Sequence, residues 1–268
     1  MAALLEIDGL SAGYGIGPNI LNDISLAVEP GRTYCVIGPN GAGKSTMLKV
    51  IAGLLKPRSG RVVLKGTVLN RLRPDQILAH GCCFVPQEPS LFADMTVREN
   101  LRMGAFLERD RRVVEQRMQR VFDLFPELAD HPSQRAGTLS GGQQQMVTLG
   151  RALMVEPELL MIDEPSLGLA PKVSEQIFDT IGRLGRTGIA ILLVEQNVRK
   201  GLECSDWSCV LDLGTKRFEG PAERILSDPR IRELYLGKQL RARPAAAGET
   251  ADQRPAGEGR PWGNGEHQ

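Results

Sequence analysis

The chain has 268 residues, room for one large domain or for one domain carrying a lobe. It is 41% hydrophobic and 24% charged, as ordinary globular proteins are, and 33 basic residues against 32 acidic ones leave a formal net charge of +1. That balance argues neither for nor against a nucleic-acid partner, and no membrane span is visible, since the most apolar run, IAILLV, falls far short of about 20 residues.

The elements follow in chain order. The opening MAALLEIDGL lacks a basic stretch and meets Glu6 and Asp8 early, so it does not read as a signal peptide. LLEIDGL and ISLAVEPG alternate apolar and polar residues, with Ile24, Leu26 and Val28 on one face, and predict short strands. Pro30-Gly31 is a turn. TYCVIG is a buried strand that runs into a glycine-rich loop. TMLKVIAGLL predicts a helix with Leu48, Ile51, Leu54 and Leu55 on one face, ended by Pro57 and Gly60. RVVLKGT reads as a strand. His80 beside Cys82 and Cys83 lacks a second ligand pair at finger-like spacing, so it reads as a strand edge rather than a metal site. With Cys35, Cys204 and Cys209 these cysteines show no framework spacing and read as cytosolic thiols.

Residues from about 89 to 136 differ in character. MTVRENL carries a capping box, Thr96 with Glu99. LERDRRVVEQRMQRVFDLF predicts a charged amphipathic helix whose buried stripe is Val114, Met118, Val121 and Phe125. The stretch reads as a helical lobe inserted in an α/β frame. The frame resumes with QQQMVTLGRALMVEP, a helix stopped at Pro157, then the buried strand LLMIDE, the helix KVSEQIFDTIGRLGRTG and the buried strand IAILLV. Strands alternating with helices imply a parallel sheet. Residues 238–268 are rich in Pro, Gly, Ala and charge and are expected to be a disordered tail after a domain spanning 1–237.

Two stretches carry chemistry on their own. GPNGAGKST, Gly38, Pro39, Asn40, Gly41, Ala42, Gly43, Lys44, Ser45 and Thr46, fits a phosphate loop and has the strand before it and helix after it that the pattern requires. Glycines let backbone N–H groups converge on phosphate oxygens, and the helix N-terminus adds partial positive charge. Lys44 is placed for the β and γ phosphates and the Ser45 hydroxyl for Mg²⁺. LLMIDE delivers Asp163 and Glu164 to the C-terminal end of a buried strand, where α/β sheets bind ligands. Asp163 is placed to hold Mg²⁺ through water and Glu164 to act as general base.

LSGGQQQ, Leu139 to Gln145, lies shortly before that strand, and with it the chain resembles an ATP-binding-cassette ATPase over about residues 4 to 237. The resemblance implies a P-loop NTPase core of RecA-like type, with an N-terminal antiparallel β-subdomain and the inserted helical subdomain. It implies ATP and Mg²⁺ as ligands, and a head-to-tail dimer in which Ser140, Gly141 and Gly142 close over ATP held by the other subunit. Their position before a helix suits a second anion site. Tyr14 matches the aromatic that stacks on adenine. Gln87 in FVPQEP matches the glutamine that ligates Mg²⁺ and links the site to the helical lobe, the part that grips the membrane subunits. SLGLAP, Ser166 to Pro171, takes the D-loop place but departs from the usual S-x-L-D.

In AILLVEQNV the family places a histidine that hydrogen-bonds the γ-phosphate; here Gln196 stands there. An amide N–H₂ still donates but cannot become cationic or shuttle a proton. SLGLAP together with VEQN is similar to one ATPase subunit of bacterial branched-chain amino-acid importers, and also to the related subunit of urea and short-amide importers. PQEP departs from the Pro-Glu-Gly common in that group. The resemblance implies a second, different ATPase chain, separate permease subunits, an indirect link to a substrate-binding protein, no nucleic-acid partner, and a place at the cytoplasmic face of the cell membrane. Two other readings are weighed. A non-transport cassette protein carries two cassettes or a long coiled-coil insertion, and an exporter ATPase of the lipopolysaccharide type keeps the histidine.

Overall fold

The computed structural model describes residues 2–231, so the expectation of a disordered tail over 238–268 lies outside the described residues. In chain order the elements are β1 (Leu5–Ala12), β2 (Leu21–Val28), β3 (Thr33–Ile37), α1 (Lys44–Ile51), β4 (Ser59–Leu64), β5 (Thr67–Val68), α2 (Pro74–Ala79) and β6 (Cys82–Val85). Then come α3 (Val97–Gly104), α4 (Arg111–Leu124), α5 (Pro126–Ala129), a 3-10 turn at Ala136–Thr138, α6 (Gly141–Leu153), β7 (Leu159–Asp163), α7 (Pro171–Gly185) and β8 (Ala190–Glu195). The described part closes with α8 (Val198–Glu203), β9 (Trp207–Asp212), β10 (Thr215–Pro221), α9 (Ala222–Ser227) and α10 (Pro229–Ile231).

Two sheets result. The first, in the order β2-β1-β4-β5, is antiparallel. The second, in the order β10-β9-β3-β8-β7-β6, is parallel except for the terminal β9–β10 hairpin. The inner strands of the parallel sheet are apolar throughout because both faces are covered. Side chains alternate between two cores. Cys35, Ile37, Leu160, Ile162, Ile191 and Leu193 face the core shared with α3 to α8. Tyr34, Val36, Leu159, Met161, Leu192 and Val194 face the core shared with α1 and the antiparallel sheet. Register then aligns the strand ends: Ile37 pairs with Glu195 and Asp163 with Val194, so the loops after β3, β7 and β8 open on one edge.

Helix bounds depart from the sequence expectation, most clearly in α1, α4 and α6. α1 stops at Ile51, well before Pro57, because Gly53 takes a left-handed conformation (φ 73°) and unwinds the turn; Leu54 is 58% exposed rather than on the buried face. α4 starts at Arg111 rather than at Leu107. Glu108 accepts from the N–H groups of Arg109 and Asp110, and Asp110 caps the N–H of Arg112, so these carboxylates terminate the helix at its N-terminal side. α6 ends at Leu153, ahead of Pro157. The Thr96–Glu99 capping box and the buried Val114, Met118, Val121 and Phe125 stand as expected. α3, α4 and α5 pack on α6, and a bridge between Thr96 and Arg135 ties the two ends of this helical stretch together.

Candidate active site

The loop between β3 and α1 wraps a cleft of about 390 Å³. Asn40, Gly41, Gly43, Lys44, Ser45 and Thr46 line one side, and Gln87, Glu164 and Leu167 line the other, with Ile20 at its margin. Gly43 has φ 101°, and a Cβ there would lie 2.7 Å from Leu21 Cδ2, so only glycine brings the chain into α1 at this point. α1 has no side-chain cap, which leaves its first N–H groups for an anion.

Lys44 is 4% exposed and its ammonium uses all three hydrogens. It donates to the carbonyls of Gly38 and Pro39 at 3.0 and 3.1 Å and pairs with Glu164 Oε1 at 3.0 Å. Glu164 follows β7 with a left-handed backbone (φ 42°), a costly conformation for a residue with a side chain, fixed here by its N–H donating to the Val194 carbonyl at 2.9 Å. The Ser45 hydroxyl donates to Asp163 Oδ1 at 3.0 Å. Burial pushes the Asp163 carboxyl above the usual aspartate range, and the Ser45 hydrogen bond pulls it partly back.

These groups fit a phosphate with a hard divalent cation. Ser45 commits its one hydrogen to Asp163, so its lone pairs stay available to a cation, and the neighbouring donors are oxygens. Gln87 stands in the loop after β6, in the same cleft.

The other expected residues lie around this centre. Tyr14 is half-exposed, with Lys49 of α1 5.9 Å from its ring centroid, outside the phosphate cleft. Ser140 caps α6 in a reciprocal box with Gln143, and Gly141 and Gly142 form the helix's first turn. Gln196 follows β8, beside Glu195. The sequence alone gives no site role to Glu195 or Ile20, and Leu167 enters it only as part of SLGLAP. Leu167 and Ile20 carry no chemical signal, whereas a carboxylate at the end of a fully apolar strand was a signal for Glu195.

A second concavity, about 400 Å³, lies where α2, β6, α3 and α6 meet. Phe92, Met103 and Phe106 are exposed at its rim, Phe106 by 60%, and Phe84, Pro86 and Arg151 line it.

With that geometry in place, the profile of the ABC transporter family matches residues 21–167. The chain belongs to the ABC transporter family. The cassette is 41% identical over 234 residues to the high-affinity branched-chain amino acid transport ATP-binding protein BraG of Pseudomonas aeruginosa, across 87% of this chain and 100% of the relative. It is 40% identical over 235 residues to the probable branched-chain amino acid transport ATP-binding protein LivF of Archaeoglobus fulgidus, across 87% and 99%. The likeness to the lipopolysaccharide export ATP-binding protein LptB of Haemophilus influenzae is more distant, 29% over 241 residues, across 89% and 99%. Among solved structures, the ADP conformation of an ABC transporter cassette superimposes with a TM-score of 0.76 at 30% identity, across 88% of this chain and 100% of that one. The cassette is therefore a nucleotide-binding ATPase. Among the described residues no helix is long and apolar enough to cross a membrane.

Proposed function

We propose that the cassette powers import of branched-chain amino acids. The likeness to BraG, across 87% of this chain and the whole of the relative, carries this reading of the cargo. In it, ATP binding closes two cassettes head to tail, and the closed state holds ATP more tightly than the open one, so nucleotide drives the permeases between conformations.

The site residues take these roles. Gly38 to Thr46 cradle the phosphates, and the incoming γ-phosphate replaces Glu164 on the Lys44 ammonium. Both are nearly dry, so this exchange involves strong partners on either side. The released Glu164 carboxylate then accepts a proton from the attacking water. Ser45, Asp163 and Gln87 would hold Mg²⁺, which would supply positive charge against the phosphates. Tyr14 stacks on adenine, and Gln196 donates to the γ-phosphate. Ser140, Gly141 and Gly142 meet the nucleotide of the partner cassette. That partner is a different chain. The helical stretch over about 89–136 acts as a lobe, and the apolar rim of Phe92, Met103 and Phe106 receives the permease; exposed apolar patches of this kind mark contact surfaces.

The test is to purify the tagged cassette from membranes with its associated subunits and to assay phosphate release. Leucine presented with the cognate binding protein raises turnover on this reading. Stimulation by urea or short amides instead, with none by leucine, contradicts the cargo while leaving the ATPase in place.

A further inference from the structure

Glu195 closes β8 with 2% exposure, and its carboxylate meets three donors from two different loops. Oε1 accepts from the Ser166 hydroxyl at 2.9 Å. Oε2 accepts from the backbone N–H groups of Gln196 and Asn197 at 3.0 and 3.1 Å. No ion pair involves Glu195 among the described residues. A buried carboxylate is costly unless hydrogen bonds satisfy it, so these donors are what keeps it there. Burial pushes its carboxyl up, and the Asn197 and Ser166 donors pull it partly back.

The Ser166 loop touches three parts of the site. Leu167 lines the phosphate cleft, and its N–H donates to the Glu164 carbonyl at 3.2 Å. Leu169 Cδ2 lies 3.8 Å from where a Cβ on Gly141 would stand, against the start of α6. Through Glu195 the same loop holds the backbone of Gln196.

We propose that Glu195 is a positioning residue that locks the Ser166 loop to the Gln196 loop, so that Gln196 takes its γ-phosphate position only when the Ser166 loop is seated between the phosphate cleft and α6. The inference rests on the reading of Gln196 given above. It explains why a carboxylate sits in a strand end that is otherwise apolar. A side chain with two acceptor oxygens can serve both loops at once; an amide presents donors where donors already converge.

The test compares Glu195→Gln, Ser166→Ala and the double variant in the purified assembly, reading kcat, nucleotide affinity and thermal midpoint. The expected result is kcat lower by about tenfold for Glu195→Gln, with nucleotide affinity within about twofold of the parent. Ser166→Ala also slows turnover, and the double variant is no slower than Glu195→Gln alone, because both break one link. A kcat within about twofold of the parent for Glu195→Gln, or losses that multiply while affinity and thermal midpoint fall together, overturns the proposal. Gln196→Ala is assayed beside them. If it is slow while Glu195→Gln is normal, the positioning role alone fails. If it turns over normally, the reading of Gln196 fails and this inference with it.

Discussion

At the scale of single residues, the Lys44–Glu164 pair organises the site. Three hydrogens on the ammonium meet three acceptors, two of them fixed carbonyls, so the carboxylate is the acceptor on a side chain that can turn away. Removing Lys44 leaves Glu164 buried without its cation, an imbalance that costs about 3–5 kcal/mol. Glu164→Gln is the cleaner change, because the amide oxygen still accepts from Lys44. It is expected to lower phosphate release by about 100-fold or more while equilibrium ATP binding persists; equal losses of both would remove Glu164 from the role of base. Asp163 gives a pH-dependent prediction. Its carboxyl is raised by burial, so the ionised form costs stability. That penalty sets in as pH rises through the ordinary aspartate range and is complete above the raised value. Asp163→Asn therefore raises the melting temperature of the nucleotide-free protein at about pH 7, and the gain shrinks toward about pH 3. Melting curves at both pH values check this, and a gain that grows on acidification contradicts it. That Lys44, Ser45, Asp163 and Glu164 come together was legible, because a glycine-rich loop and a carboxylate-tipped apolar strand both end at the C-terminal edge of a parallel sheet. The tie between Glu195 and Ser166 was not: it spans 29 residues and two loops, and only strand register brings them together.

At the scale of elements, burial patterns were read correctly where both faces are covered or one face is strongly apolar. β3, β7 and β8 are buried at every position, and the stripe of α4 lies in the core. Helix ends were less legible. Gly53 unwinds α1 before Pro57 is reached, and Glu108 with Asp110 delays the start of α4 by bonding to nearby backbone N–H groups. Such local competition is settled by one or two hydrogen bonds, too little to show in periodicity. The Thr96 box on α3 was legible, since both partners sit at fixed spacing. Thr96→Ala removes the cap and is expected to cost about 1 kcal/mol of stability. Chemical denaturation reads it as a lower midpoint at constant slope; an unchanged midpoint would mean that the cap contributes nothing to the fold.

At the scale of the whole molecule, two cores flank one sheet, and the sheet's register sets the loops of the site along one edge. The α/β class followed from alternating buried strands and helices. The strand order did not, because β3 pairs with β8 and β9 across long stretches of sequence that carry no pairing signal. Cargo is also remote from this chain's own chemistry, since the site handles phosphate, and it enters through the likeness to BraG. The most direct measurement is uptake of labelled leucine by cells whose only copy of this cassette carries Glu164→Gln. Uptake at low external leucine collapses relative to the parent if hydrolysis at this site powers the importer. Uptake at the parent rate, with the variant cassette present at normal levels and no second leucine importer in the cell, contradicts that account.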